Sequence, residues 1–466
     1  MTRTSDQQVA GDGDAGTGRG SSRPRIVVVG AGFAGLGCAR ALAGTDVDVT
    51  LIDRNNYHQF LPLLYQVATA QIASDDVGTP LRNLFRGDDN VDVKQAEVVH
   101  VDAGTRTVTT ADGATYTGDY LVLATGSRPN FYRTPGADKH TLPLYSLDDA
   151  IRLRSRIIEV FDAADRNAAL IDQGALTFVV VGGGATGVET AGGLADFVNR
   201  VAPDEYRDLH VHEARIHVID HGTKLLAPFS PKAHRYAAKV LRNDGVRMHL
   251  GTGVQEVTPT GVRLEDGTTL PTRCVIWAGG VQAGDLAAGI DLPRGRAGRV
   301  KAEHDLSVRG YPHVFVLGDL AAVDSPDGTP YPQLGSVALQ QGQWTADNIR
   351  SELAGQPRRA FHYHDKGIMA MIGRGAAVAE MGEKRHELHG AIAFASWLGV
   401  HAWLMSGVRS KVDAFVSWGW DYFSGNREAG LIDHSAAATI DWNQPAPPAH
   451  AADRPSVSAS AGAESG

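Results

Sequence analysis

Two glycine-rich strand–turn–helix units roughly 150 residues apart, and a later apolar strand ending in Gly-Asp, predict the fold class of this 466-residue chain. It should be an α/β protein with two Rossmann-like dinucleotide-binding domains, the second inserted in the first, followed by a C-terminal helical segment. The first unit begins at Ile26–Val29, a β-branched run that reads as a buried parallel strand. Gly30, Gly32 and Gly35 turn the chain, residues 36–43 suit a helix, and residues 47–52 read as a second strand ending in Asp53. Gly30 permits the turn, Gly32 lets the backbone approach a pyrophosphate, and Gly35 lets helix and strand pack closely. The helix start aims free N–H groups at phosphate, and Asp53 is placed to accept from ribose hydroxyls, with Arg54 beside it.

Composition narrows the function classes. With 43% hydrophobic and 21% charged residues the chain is globular, and a net charge of −9 argues against nucleic acid, whose phosphates need a basic face. Only Cys38 and Cys274 occur, far apart and in apolar runs, which fits a reducing cytosol and excludes the redox cysteine pair of disulfide reductases. Residues 1–23 are polar and Gly-rich, without the apolar stretch of a secretory signal, and read as a disordered arm. Residues 436–466 have the composition of a disordered tail.

In chain order, residues 54–70 fit a helix or loop beside the first nucleotide, and residues 91–102 and 106–110 alternate like strands, with a turn at Asp112-Gly113. Residues 120–124 form another apolar strand that ends at Thr125-Gly126, and residues 147–164 form a connecting helix. The pattern then repeats. Phe178–Val181 is a strand, Gly182, Gly184 and Gly187 turn it, residues 188–199 continue as a helix, and residues 215–220 form a strand ending in Asp220. A carboxylate there favours a ribose 2′-hydroxyl and repels a 2′-phosphate, so the second cradle reads as an NAD(H) site. Cys274–Gly280 ends with a small-residue corner at Ala278-Gly279 like the one at Thr125-Gly126, and His313–Ala321 carries Gly318-Asp319. A helix should begin near Leu334 and run to about Leu353.

The stretch Pro62–Ala68, PLLYQVA, resembles type II NADH dehydrogenases, the single-chain NADH:quinone oxidoreductases, and Thr125-Gly126 resembles the ATG corner of flavoproteins with two dinucleotide-binding domains. The resemblance spans about residues 24–432. It implies FAD in the first cradle, with Asp319 on the ribityl chain, NADH in the second, and a membrane quinone as acceptor. It also implies domain limits of 24–165 and 291–355 for the FAD domain, 166–290 for the NADH domain and 356–435 for the C-terminal domain. The family's A-Q-x-A-x-Q element meets Gly335–Gln340 here, so Gln340 matches its second glutamine and Ser336 replaces the first. Glu189 matches a family glutamate near nicotinamide and flavin, and Lys366 a family lysine near the flavin, so the two are expected to form an ion pair. Glu189, Gln340 and Lys366 are the candidate catalytic residues.

Residues 391–423 hold four of the seven tryptophans, and no formal charge lies between Glu387 and Arg409. Interrupted by glycine, serine and histidine, this is a poor spanning helix. It reads as amphipathic helices in the lipid interface, flanked by Arg409, Lys411 and Arg427, with a homodimer interface or a core helix as the alternative. The protein is therefore expected to be peripheral on the cytoplasmic face of the membrane. His210, His212, His217, His221, His362 and His364 are read as surface histidines, with no metal site, because no Cys or carboxylate spacing supports one. Two alternatives stay open: a soluble NADH-dependent ferredoxin or rubredoxin reductase of the same fold, and a flavin-binding sensor without turnover.

Overall fold

The computed structural model describes residues 23–382, 384–424, 430–433 and 440–447. The arm at 1–22, the Arg409 side chain, Arg427 and the tail beyond 447 lie outside the described residues. Strand β1 (Arg25–Val29), helix α1 (Phe33–Leu42) and β2 (Asp48–Asp53) form the first unit, followed by the short helix α2 (Leu64–Ala68), β3 (Val91–Gln95) and β4 (Tyr120–Leu123). Helix α3 (Leu147–Arg166), capped by the Ser146 hydroxyl on the Asp149 amide, leads into β5 (Thr177–Val181), α4 (Ala185–Asp196), β6 (Arg215–Asp220), α5 (Pro231–Asn243), β7 (Val246–Leu250) and β8 (Cys274–Trp277). Strand β9 (Tyr311–Val316) and helix α6 (Gly335–Leu353) follow. The antiparallel sheet β10 (Gly367–Gly373), β11 (Ala376–Met381) and β12 (His386–His389) then precedes helices α7 (Ala391–Leu404) and α8 (Val408–Ser424).

The first sheet has six strands in the order Ser307–Val308, β9, β4, β1, β2, β3. Strand β9 pairs in parallel with β4, Val314 opposite Leu121, so residues from both sides of the second unit build one sheet. The second sheet runs Leu142–Pro143, β8, β5, β6, β7, all parallel. Both central strands are buried along almost their whole length, which explains their unbroken β-branched sequences. Both fingerprint helices begin earlier than the sequence suggested, at Phe33 and Ala185, because the last glycine of each fingerprint belongs to the first helical turn. Packing overrides the low helix propensity of glycine there. Helices α1 and α6 meet backbone to backbone: a Cβ on Gly342 would fall 2.0 Å from the Ala34 carbonyl oxygen.

Three expectations are corrected. Residues 54–70 are neither one helix nor one loop but a strand (Tyr57–Gln59), a 3-10 turn (Leu61–Leu63) and α2, whose Tyr65, Gln66 and Val67 are buried in the core shared by the second unit and the C-terminal helices. Part of the expected tail is packed: buried Arg273 donates to the Asp441 and Gln444 carbonyls and lies over the Trp442 ring. Among the described side chains, the C-terminal helices carry apolar residues on both the inner and the outer face. Ala393, Trp397, Ala402, Ala414 and Trp418 point into the protein, while Ile392, Trp403, Val412, Phe415, Val416 and Trp420 are exposed.

Candidate functional site

The two cradles repeat one construction. In the first, the Asp53 carboxylate accepts from the Ala31 amide at 2.6 Å and the Asn55 amide at 2.7 Å, and in the second the Asp220 carboxylate accepts from the amides of Gly183 and Gly222. Each acid thus ties its strand end to its glycine turn. Burial pushes the Asp53 carboxyl up, partly offset by those two amides and Arg54. Gly30 and Gly182 sit at positive φ (96° and 117°), and a Cβ on either would meet the Ala124 or Ala278 carbonyl oxygen at 2.4 Å. Gly35 and Gly187 face the carbonyls of Gly30 and Gly182, where a Cβ would lie 1.8 Å away. Gly32 and Gly184 border open space, with nothing within 4 Å of their Cβ positions.

That open space, and the polar atoms around it, fit a bound dinucleotide. The Thr125 hydroxyl at the first corner is buried without a partner, and Gly126 beside it adopts a positive φ of 68°. Asp319 is held by the Ser127 hydroxyl at 2.8 Å, with Arg299 lowering its pKa and burial, the larger effect, raising it. Gly318, at positive φ, donates to the buried Gln341 side chain at 2.7 Å, so α6 fixes the turn that presents Asp319. The sequence reading missed three supports. His58, buried, donates through Nδ1 to the Ala31 carbonyl at 2.8 Å, and burial lowers its pKa to about 4. Ser127 follows Thr125-Gly126 directly. The Tyr145 hydroxyl bridges the N–H and carbonyl of Gly280, at 3.1 and 2.9 Å, beside the second corner at Ala278-Gly279. No spacing rule marks an isolated His, Ser or Tyr; only the fold brings them to the turns.

A cavity of about 320 Å3 opens between α2, α4, β10 and the C-terminal helices, lined by Tyr65, Gln66, Glu189, Met371, Leu398 and Trp418 among others. Glu189 is 9% exposed, and its Oε1 accepts from the Met371 amide at 3.1 Å. Burial is the main cause that raises its pKa to about 8, so at neutral pH the carboxyl is largely protonated. The Trp418 indole donates to Gln66 at 2.7 Å, and the Gln66 amide donates to the Tyr65 hydroxyl at 3.0 Å, a polar chain across the cavity wall. His401 stacks on Trp397 with ring centroids 3.9 Å apart and is held by burial at a pKa of about 4.

The other two candidate catalytic residues lie elsewhere. Gln340 turns its amide to the His364 backbone, donating at 3.0 Å and accepting at 2.9 Å, and does not line the cavity. Its neighbour Ser336 bonds the Tyr363 hydroxyl at 2.9 Å. Lys366 is exposed, and no ion pair joins it to Glu189 among the described residues. The reason is geometric: Glu189 bonds Met371 within β10, whereas Lys366 precedes that strand, five residues away and up to about 16 Å along the chain. The ligand atoms of His210, His212 and Glu213 lie within 4.8 Å of one another, so a carboxylate does stand beside two of these histidines.

Residues 24–342 match the pyridine nucleotide-disulphide oxidoreductase family. The chain is 36% identical over 438 residues to the type II NADH:quinone oxidoreductase Ndh of Mycobacterium tuberculosis, covering 91% of this chain and 93% of that protein. It is 29% identical to the type II NADH:quinone oxidoreductase of Staphylococcus saprophyticus, over 75% of this chain and 88% of that one. Among solved structures, NDH2 from Plasmodium falciparum in complex with NADH superposes with a TM-score of 0.80 at 19% identity, covering 86% of this chain and 99% of that one. With both nucleotide cradles in place and similarity running nearly end to end, the chain belongs to the type II NADH:quinone oxidoreductases, enzymes that use FAD and NAD(H).

Proposed function

We propose that FAD occupies the first cradle, that NADH enters the second, and that the quinone reaches the cavity beside Glu189 from the apolar outer face of α7 and α8. In this reading the NADH-binding unit is an insertion, bounded near residues 165 and 290, between the two halves of the FAD-binding unit. The observation that carries it is the meeting of a buried, largely protonated carboxyl and an apolar exposed surface at one cavity. FAD, when bound, supplies the chemistry that takes a hydride from NADH and hands two electrons to the acceptor. The chain's own residues bind, orient and exclude water. The glycine turns and helix starts take the phosphates, Asp53 and Asp220 hold the ribose ends, and Thr125 and Asp319 face the first nucleotide. Glu189 keeps a proton at its carboxyl within reach of a reduced acceptor. Gln66 and Trp418 hold the cavity wall. Gln340 clamps the His364 backbone and Lys366 stays at the surface, so neither is assigned to the acceptor.

Gly419→Leu tests the cavity assignment. Gly419 lines the cavity and has nothing within 4 Å of its Cβ position, so a larger side chain intrudes without a backbone clash. Anaerobic bleaching of the flavin by NADH should be unchanged, while KM for a quinone analogue rises about tenfold, equivalent to ~1.4 kcal/mol of binding. An unchanged KM places the acceptor elsewhere.

The same reading makes the protein peripheral, with α7 and α8 in the lipid interface on the cytoplasmic face, where NADH is available. No helix among the described residues is long and apolar enough to cross a membrane. Trp403, 80% exposed, carries Lys411 over its ring at 5.3 Å, an aromatic–cation pair suited to the headgroup level. Replacing Trp403, Val416 and Trp420 together by Glu should move the protein from the membrane pellet to the supernatant while NADH–dye reductase activity persists, since all three are exposed. If the variant instead stays with membranes, the lipid assignment fails; if only its oligomeric state changes, the face belongs to a second copy of the chain.

A further inference from the structure

The ribose end of the second cradle holds more than the strand-end acid. Asp220 is followed by His221, whose Nε2 lies 3.5 Å from Glu265 Oε1. Glu265 comes from the antiparallel sheet formed by residues 254–271, not from the fingerprint unit. It is not a loose surface carboxylate: its Oε2 accepts from the Gly253 amide at 2.9 Å, and its own amide donates to the Gly253 carbonyl at 3.0 Å. The segment it grips is also tied to the acid's strand, because the Gly251 amide donates to the Asp220 carbonyl at 2.9 Å. Gly253 leaves room for the pair, since a Cβ there would sit 2.8 Å from His221 Nε2 and 3.0 Å from the Glu265 carboxyl. The neighbouring Thr252 hydroxyl is buried without a partner, a second polar atom waiting at the same end of the cradle.

We propose that Glu265 is a specificity-determining residue that acts with Asp220 to exclude a 2′-phosphorylated nicotinamide nucleotide. This rests on the assignment of the second cradle to NADH. Glu265 does two things at once. It adds a second negative charge at the strand end that carries Asp220, 3.5 Å from the imidazole of the next residue. It also occupies the imidazole of His221, the side chain next to the acid, where enzymes that accept a 2′-phosphate offer a donor or cation. Discrimination of this kind combines an attraction for one ligand with a built repulsion against its competitor.

The test uses the full-length, FAD-loaded protein and anaerobic stopped-flow reduction of its flavin by NADH and by NADPH. The readout is the ratio of the two second-order rate constants. Glu265→Gln should raise the NADPH:NADH ratio about five- to tenfold, mainly through tighter NADPH binding. His221→Ala combined with Glu265→Gln should keep the part of that gain that comes from removing the charge and lose the part that comes from freeing the phosphate donor. Gly253→Ala, which displaces the pair without removing either group, should raise the ratio in the same direction. A ratio within twofold of wild type for Glu265→Gln overturns the proposal, whereas an equal gain in the double variant supports exclusion by the Glu265 charge alone. Asp220→Arg serves as the control for the underlying assignment. If it shifts the ratio and Glu265→Gln does not, only the Glu265 proposal fails; if Asp220→Arg also leaves the ratio untouched, the cradle is not the nicotinamide-nucleotide site.

Discussion

Glu189→Gln is expected to lower NADH-driven quinone reduction about 100-fold at pH 7, the scale of a lost general acid, while flavin reduction by NADH stays near wild type. The wild-type rate should fall as pH rises through about 8, where the carboxyl loses its proton, and the variant should lack that limb. Stability gives an independent reading of the same group. Its folded pKa of about 8 lies above the ordinary value of 4.5, so the folded chain binds the extra proton between these two pH values. The contribution of Glu189 to stability is therefore full below about pH 4.5 and is lost as pH rises to about 8, and the Gln variant lacks that loss. Relative to wild type, the variant should gain on the order of a few kcal/mol between pH 5 and pH 8 in denaturant unfolding. A pH-independent difference would mean that Glu189 is not the buried acid.

Gly35→Ala and Gly32→Ala should separate folding from cofactor retention. The Cβ of Gly35→Ala would lie 1.8 Å from the Gly30 carbonyl oxygen and 2.9 Å from its carbon, backbone atoms that cannot step aside. Loss of ~3 kcal/mol or more, or failure to accumulate as soluble protein, is expected. Gly32→Ala meets nothing within 4 Å, and its φ of −66° suits any residue, so the apoprotein should melt within a few degrees of wild type. Its new methyl group points into space that a pyrophosphate would use. The purified protein should therefore be colourless or substoichiometric in FAD. Absorbance at the flavin band and thermal melts of both variants, compared with the equivalent pair at Gly184 and Gly187, decide it; a fully flavinylated Gly32→Ala protein would remove the first cradle from the FAD site.

Much of the fold was legible because parallel strands buried on both faces, and glycines forced by close backbone approach, leave local traces. Ile26–Val29, Phe178–Val181 and the six fingerprint glycines could be read without neighbours, and so could the acids at 53 and 220. The candidate site was legible only where it lies in those units. Glu189 could be singled out by its position after the second fingerprint, but its partner was misjudged. An ion pair needs two side chains to converge, and Lys366 lies just before β10, five residues from the Met371 amide that Glu189 accepts from. Gln340 matches an acceptor-lining residue of the family, but the fold turns its amide to the His364 backbone and leaves it out of the cavity lining.

Sequence by itself determined that this protein carries two nucleotide cradles and an aromatic-rich apolar end, since each is written in residues adjacent along the chain. Tertiary structure alone decided which side chains share a cavity, because Gln66 and Trp418 lie 352 residues apart and Glu189 meets Met371 across 182. It also decided which face of α7 and α8 is buried. Helix α7 is apolar all round and carries no periodic mark of its partner, and in both helices the packing of Trp397 and Trp418 against the core distinguishes the inner face from the outer one.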